Sequence, residues 1–286
     1  MTFALRARGW MGSECQIRST RNVIADTVIS MGVTPLSVYQ RNKQKIRRWE
    51  HLAFWRPALR VLSYHQVHPA YPNRFTVSTE QLDRQLQYLT SAGFQFIHAQ
   101  DLLAQHALPK RPVLLTFDDG YVDNLEYAQP ILRRHGAKAT IFVVTGYSGE
   151  RARWNADAGA LMSPQQLHQL DSEVFELALH SHSHRSFEGM QLDEIEEDLR
   201  QNLEFFRKHN LPVTPALAYP YGARPRLPVS VLAARLASLG IRSAFRVGNR
   251  LNRLPISSPY EIQRIDVRGD ASDAKFRRKL WFGKLV

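Results

Sequence analysis

The stretch Val113-Leu114-Leu115-Thr116-Phe117-Asp118-Asp119-Gly120 decides how this chain reads. A short apolar and β-branched run has the composition of a strand, and two carboxylates and a glycine end it abruptly. Two other segments repeat the design. One runs from Val174 to Leu179 into His180-Ser181-His182-Ser183-His184, and the other starts at Ala216 and runs into Ala218-Tyr219-Pro220-Tyr221-Gly222. Further strands are expected at Arg60 to Tyr64, Gln95 to Ile97, Ala139 to Val144, Ser243 to Val247 and Glu261 to Val267. Helices with legible starts lie between them. Ser78 with Gln81 forms a capping box ahead of Leu82, Leu86 and Leu89, Ser163-Pro164 opens another helix, and Gln191 to Lys208 runs from acidic to basic as the helix dipole prefers. Strands separated by helices pair in parallel, so the expected class is α/β, as a (β/α) barrel or a doubly wound sheet. In a barrel, strand C-termini converge on one face, where catalytic residues collect.

Composition narrows the function classes. With 286 residues, 44% hydrophobic and 22% charged, the chain is an ordinary globular one, neither disordered throughout nor a membrane bundle. Its single cysteine, Cys15, excludes an intrachain disulfide framework and a Cys-rich zinc module. That leaves the compartment open, because a periplasmic protein can also do without disulfides. The net charge of +12 sits at the two ends. Residues 1–60 carry 11 Lys/Arg against 3 Asp/Glu, and residues 271–286 carry 5 against 1, so the body between them is neutral. A neutral body argues against nucleic acid. Basic ends suit peripheral contact with an anionic membrane, with a solvated extension as the plain alternative.

The expected division is a basic, partly helical extension over 1–59, a catalytic barrel over 60–270 and a basic tail over 271–286. Leu36 to Leu59 mixes Arg41, Lys43, Lys45, Arg47 and Arg48 with Ile46, Trp49, Leu52, Phe54 and Trp55, as a surface-lying amphipathic helix would. No apolar run reaches membrane-spanning length. The nearest, Val23 to Leu36, is interrupted by Asp26, Gly32 and Pro35 and lacks a clean cleavage site. The reading is therefore of a cytoplasmic protein, peripheral to the inner membrane face, with export not excluded.

The clusters carry the chemistry. His180 and His184 would be about 13 Å apart in a continuing strand but neighbours in a helical turn. A chain that turns after His180 lets both rings share one cation while His182 points elsewhere. Asp118 and Asp119, placed together, repel each other unless a cation or a shared proton resolves the conflict. Adjacent residues point in different directions, so one carboxylate can bind a metal and the other receive a proton. An Asp-rich turn with Asp123 as helix cap, and a loop that is merely His/Ser-rich, are the plain alternatives. Taken together, the two clusters supply three ligands of an open, zinc-type hydrolytic site.

These ordered motifs over about residues 60–270 resemble the polysaccharide deacetylases, the carbohydrate esterase family that shares a homology domain with the nodulation chitooligosaccharide deacetylase. The resemblance implies a distorted (β/α) barrel of about seven to eight parallel strands and metal-dependent removal of N-acetyl groups from amino sugars. It implies Asp118 as general base, and Asp119, His180 and His184 as ligands of a divalent metal, zinc by preference. Tyr219, Pro220, Tyr221 and Gly222 would line the cleft, with the Tyr221 backbone N–H toward the oxyanion. Two departures are visible. Many members have an arginine where this chain has Ala218, and Arg264, with Asp266 after it, is the candidate substitute for orienting the base. The usual late histidine is also missing, since none follows His209. Leu62-Ser63-Tyr64-His65-Gln66-Val67 resembles the early Tyr-His segment of the permuted subgroup acting on poly-N-acetylglucosamine, which makes His65 the candidate acid.

The leading expectation is an N-deacetylase of an N-acetylated saccharide in cell-envelope or exopolysaccharide synthesis. The alternatives are a deformylase or other amide hydrolase on a lipid-linked sugar, and a non-catalytic saccharide- or membrane-binding relative. Intact Asp118, Asp119, His180 and His184 argue against the last, because a binding module has no need of that set.

Overall fold

Seven parallel strands close on one another in the computed structural model, which describes residues 58–104, 107–154 and 159–284. The staves are β1 (Ala58–Tyr64), β5 (Pro112–Phe117), β6 (Ala139–Val143), β7 (Phe175–Leu179), β8 (Ala216–Ala218), β9 (Ser243–Val247) and β11 (Ile262–Asp266). Each pairs in parallel with the next, and β1 closes the ring by pairing with both β5 and β11. The eighth expected strand, β4 (Gln95–Ile97), is a flank rather than a stave. It bonds to residues 112–114 of β5, while β6 bonds to residues 115–117. Short β2 (Gln66–Val67) and β3 (Thr76–Val77) pair at the barrel mouth, and β10 (Asn252–Arg253) runs antiparallel to the start of β1.

Alternation along the staves builds two cores. Leu59, Val61, Leu114, Phe142, Ala178, Ala216, Ala218, Phe245 and Ile262 form one cluster. Their neighbours Leu62, Tyr64, Leu115, Phe117, Ile141, Leu177, Leu217 and Ile265 join a second, larger cluster with the helices. Period-two alternation sends the first set into the barrel and the second outward.

The helices of that layer include α1 (Thr79–Ser91), α2 (Gln129–Arg134), α3 (Pro164–Leu167), α4 (Leu192–Lys208) and α5 (Val229–Ser238). The Ser78 side chain caps α1 on the Gln81 N–H, and Ser163 with Gln166 forms the capping box of α3. On α4 the box is Gln191 with Glu194. Among the described residues no helix is long and apolar enough to cross a membrane.

The expected boundaries shift at both ends. Ala58 and Leu59 already belong to β1, and the rest of the helix expected over Leu36 to Leu59 lies outside the described residues, as do residues 1–57 generally. Residues 271–284 do not trail as a tail. Ser272 caps α6 (Asp273–Phe282), whose Phe276, Leu280 and Trp281 are buried in the larger cluster. The Trp281 indole N–H donates to the Tyr88 hydroxyl at 2.8 Å, and the Arg60 guanidinium lies 5.6 Å from the Trp281 ring. Basic charge masked this apolar stripe in the sequence; Lys275, Arg277 and Arg278 occupy its exposed side.

Candidate active site

Strand parity aims the polar residues at the barrel's C-terminal mouth. Leu59 and Val61 face inward, so Ser63 does too; Leu114 faces inward, so Thr116 and Asp118 follow. On β11 Ile262 belongs to the inner cluster and Ile265 to the outer one, which puts Arg264 and Asp266 on the inward side. Beyond the strand ends the backbone departs from ordinary geometry. Asp119, Ser181, His184 and Tyr221 all adopt positive φ, between 55° and 75°. Such conformations cost non-glycine residues about 1–3 kcal/mol each, and they turn successive side chains out of line with their strands. Gly222 (φ 68°) is required for a second reason: a Cβ there would lie 2.6 Å from Val247 Cβ.

Asp118 sits on a fully buried arginine. Arg264 Nη1 donates to Asp118 Oδ1 at 2.5 Å and Nη2 to Oδ2 at 2.9 Å, a bidentate fork. The guanidinium packs 5.5 Å from the Phe142 ring, and Ser63 Oγ reaches Asp118 Oδ2 at 3.4 Å. Burial alone would push the Asp118 carboxyl upward; Arg264, with His180 and His65, outweighs it and holds the group below the usual carboxylate range. The arginine missing at position 218 is thus supplied from β11. Asp266, by contrast, lines the cleft two residues on, and its carboxylate makes no hydrogen bond to Asp118 among the described residues.

Asp119 faces both histidines. Its Oδ1 lies 3.4 Å from His180 Nε2 and 3.2 Å from His184 Nε2. All three side chains are buried, and their ligand atoms lie within 4.8 Å of one another. Burial opposes the Asp119 charge, yet the two imidazoles hold the carboxyl well below its ordinary value, and the same acids raise His180 against its own burial. Asp119 Oδ1 is buried without a hydrogen bond among the described residues. Two donors about 2.0–2.1 Å from a tetrahedral zinc stand about 3.3–3.4 Å apart. The His₂Asp set, its spacing and the orphaned oxygen therefore fit a divalent cation.

The loop carrying the histidines is fixed from outside. Asp198 of α4 accepts the backbone N–H groups of His182 and Ser183 at 2.8 and 2.9 Å, and the Ser181 hydroxyl accepts that of His184. His182 turns away, its Nδ1 3.0 Å from Thr145 Oγ1. His180 Nδ1 is 2.8 Å from the Ala218 carbonyl oxygen, which sets the ring so that Nε2 faces Asp119.

His65 follows β1 and lines the same cleft, with Nε2 3.9 Å from Asp118 Oδ2 and its ring edge-on to Phe75. The cleft, of about 340 Å³, is also lined by Arg74, Tyr121, Trp154, Tyr221, Gly222 and Val247. The Tyr219 to Gly222 segment divides. Tyr221 and Gly222 line the cleft, whereas Tyr219 is wholly buried and its hydroxyl donates to the Tyr260 carbonyl, and Pro220 is buried beside it. A tyrosine at the outward-facing position after Ala218 serves the core, so the expectation that all four line the cleft holds for two.

Several participants gave no signal as motifs. Ser63 was readable from parity alone. Asp198 lay unmarked in the acidic start of α4. Trp154 and Tyr121 come from irregular segments where no periodicity operates; the Trp154 indole N–H donates to Asp119 Oδ2 at 3.2 Å, and Tyr121 is buried beside the same carboxylate, which together with burial pushes its hydroxyl pKa upward.

The polysaccharide deacetylase family model matches residues 105–243, a span that holds Asp118, Asp119, His180, His184 and Tyr221 but neither His65 nor Arg264. Poly-beta-1,6-N-acetyl-D-glucosamine N-deacetylase of Staphylococcus aureus is 27% identical over 251 residues, 78% of this chain and 82% of that protein. The YxkH protein of Bacillus subtilis is 24% identical over 168 residues, so this chain spans 57% of that relative's length. IcaB from Ammonifex degensii shares the fold, with a TM-score of 0.66 at 23% identity over 79% of this chain and 97% of that one. With the family model falling on the acid pair and both histidines, residues 105–243 carry a polysaccharide deacetylase domain.

Proposed function

We propose that this protein removes N-acetyl groups from a β-linked poly-N-acetylglucosamine or a related amino-sugar polymer in exopolysaccharide or cell-envelope synthesis, using a divalent metal held by Asp119, His180 and His184. The observation that carries this reading is the division of labour between the adjacent carboxylates. Asp119 faces two imidazoles, while Asp118 is turned to Arg264 and the cleft. A divalent cation, zinc by preference, would supply Lewis acidity toward the acetyl carbonyl and toward water. Asp118 accepts the proton of the attacking water; Arg264 keeps it ionised and fixes its orientation. The Tyr221 backbone N–H would join such a cation in stabilising the oxyanion. The departing amine needs a proton, and His65, in the cleft wall and partly exposed, provides it. The likeness to the staphylococcal deacetylase supports the choice of polymer.

Acetate release from a panel of N-acetylated and N-formylated oligosaccharides, by metal-free and zinc-restored protein, tests the proposal. Zinc-dependent acetate release from β-1,6-linked N-acetylglucosamine oligomers is expected. Formate release without acetate release would replace the reading by a deformylase, and hydrolysis indifferent to metal would remove the metal from it.

A further inference from the structure

The two imidazoles that face Asp119 are held in different ways. His180 has a hydrogen bond behind it, Nδ1 to the Ala218 carbonyl, which is how metal-binding histidines are usually oriented. His184 Nδ1 is buried, and no protein group among the described residues hydrogen-bonds to it. Its ring instead packs against two tilted aromatic rings, with Trp154 at 4.0 Å and Tyr221 at 4.8 Å between ring centroids. Trp154 does a second thing. Its N–H holds Asp119 Oδ2, which leaves Oδ1 as the oxygen facing both imidazoles. The indole is itself set by Tyr147, edge-on at 5.6 Å, and by the small cluster of Tyr121, Val144, Ala152 and Leu161.

We propose that Trp154 is a positioning residue that fixes two of the three metal ligands at once, its N–H aiming the Asp119 carboxylate and its ring face holding the His184 imidazole. The inference rests on the metal-centre reading above. An indole serves both purposes because its donor lies at the ring edge while its face stays free, a combination that phenylalanine lacks. Losing the donor leaves the Asp119 carboxylate with Tyr121 alone beside it and loosens its choice of oxygen; losing the ring also loosens His184. Groups that orient metal ligands are worth about 10- to 100-fold in metal affinity.

The test compares Trp154→Phe, which keeps a ring but no donor, with Trp154→Leu, which keeps neither. Leu161→Ala is the control, since it loosens the same cluster without touching a ligand. Zinc affinity is measured on the full chain by competition with a chromophoric chelator, beside melting curves of the metal-free proteins. Trp154→Phe is expected to bind zinc about tenfold more weakly than wild type, and Trp154→Leu up to about a hundredfold more weakly. Leu161→Ala should melt earlier yet bind zinc within about twofold of wild type. The visible band of cobalt-loaded Trp154→Phe should also shift, because the Asp119 ligation changes. Zinc affinity within twofold of wild type in Trp154→Phe overturns the proposal, as does a loss in Leu161→Ala equal to that in Trp154→Leu. A wild-type protein that binds no zinc refutes the metal centre itself, a failure distinct from either of these.

Discussion

Replacing Arg264 by methionine tests how Asp118 is kept charged. The substitution roughly preserves the length of the side chain and removes both hydrogen bonds to a carboxylate buried beneath the cleft. Breaking a buried ion pair by removing one partner costs about 3–5 kcal/mol. A carboxyl group can escape that cost by taking up a proton, and at 1.36 kcal/mol per pKa unit the same energy is a rise of about 2–4 units. The sign then changes. In the wild type the folded pKa of Asp118 is depressed, so its stabilisation is present above the unfolded value near 3.9 and is lost as pH falls through the folded value. In Arg264→Met burial dominates, the folded pKa lies above the unfolded one, and stability is lost as pH rises through it. The variant should therefore melt close to wild type near pH 4 and progressively earlier toward pH 8. Its acetate release should fall by about 10² or more at pH 7, with the acidic limb of kcat/KM moved upward. Adding Asp118→Asn should close much of the stability gap at pH 8 without restoring activity. A gap equal at both pH values, or a double variant as unstable as Arg264→Met, refutes the reasoning.

Other expectations follow from the same geometry. His65→Ala should keep its fold and zinc while kcat falls about 10²- to 10⁴-fold on amides, and less on an activated ester whose leaving group needs no proton; equal losses on both substrates would return His65 to a structural role. Asp123 lines a wider neighbouring cleft, and burial raises its pKa to about 8. Its contribution to stability is full only below the unfolded value near 3.9 and is lost as pH rises to about 8, so Asp123→Asn should gain melting temperature relative to wild type at pH 9 and far less at pH 4, and no such difference would contradict that environment. The basic residues of 1–57 are proposed to bind anionic membranes. Liposome sedimentation should show preference for anionic over neutral vesicles, lost on deletion of 1–57; equal binding to both would end that proposal.

The barrel was legible because its staves are short, β-branched and separated by well-capped helices, and because strand ends coincide with the acid, histidine and Tyr-Pro-Tyr-Gly clusters. Gln95 to Ile97 was indistinguishable from a stave, since a flanking parallel strand has the same composition; only hydrogen-bond register tells them apart. The helix Asp273–Phe282 was hidden by its charge, which outnumbers the three buried residues that dock it. In the site, Arg264 could be named only because the resemblance asks for an arginine that position 218 lacks; its inward parity on β11 explains why it reaches Asp118. Trp154 could not be named, because it reaches Asp119 from a loop whose path depends on tertiary contacts such as the Tyr121–Leu161 bridge. Tyr219 misled for the opposite reason: it belongs to a functional-looking run, but its position after Ala218 turns it into the core.

The most direct test compares wild type with Asp118→Asn, each stripped and reloaded with one zinc equivalent, by acetate release from β-1,6-linked N-acetylglucosamine oligomers. The account predicts equal zinc content, acetate from loaded wild type alone, and loss of that activity on chelation. Acetate release by Asp118→Asn at the wild-type rate, or by metal-free wild type, would contradict it.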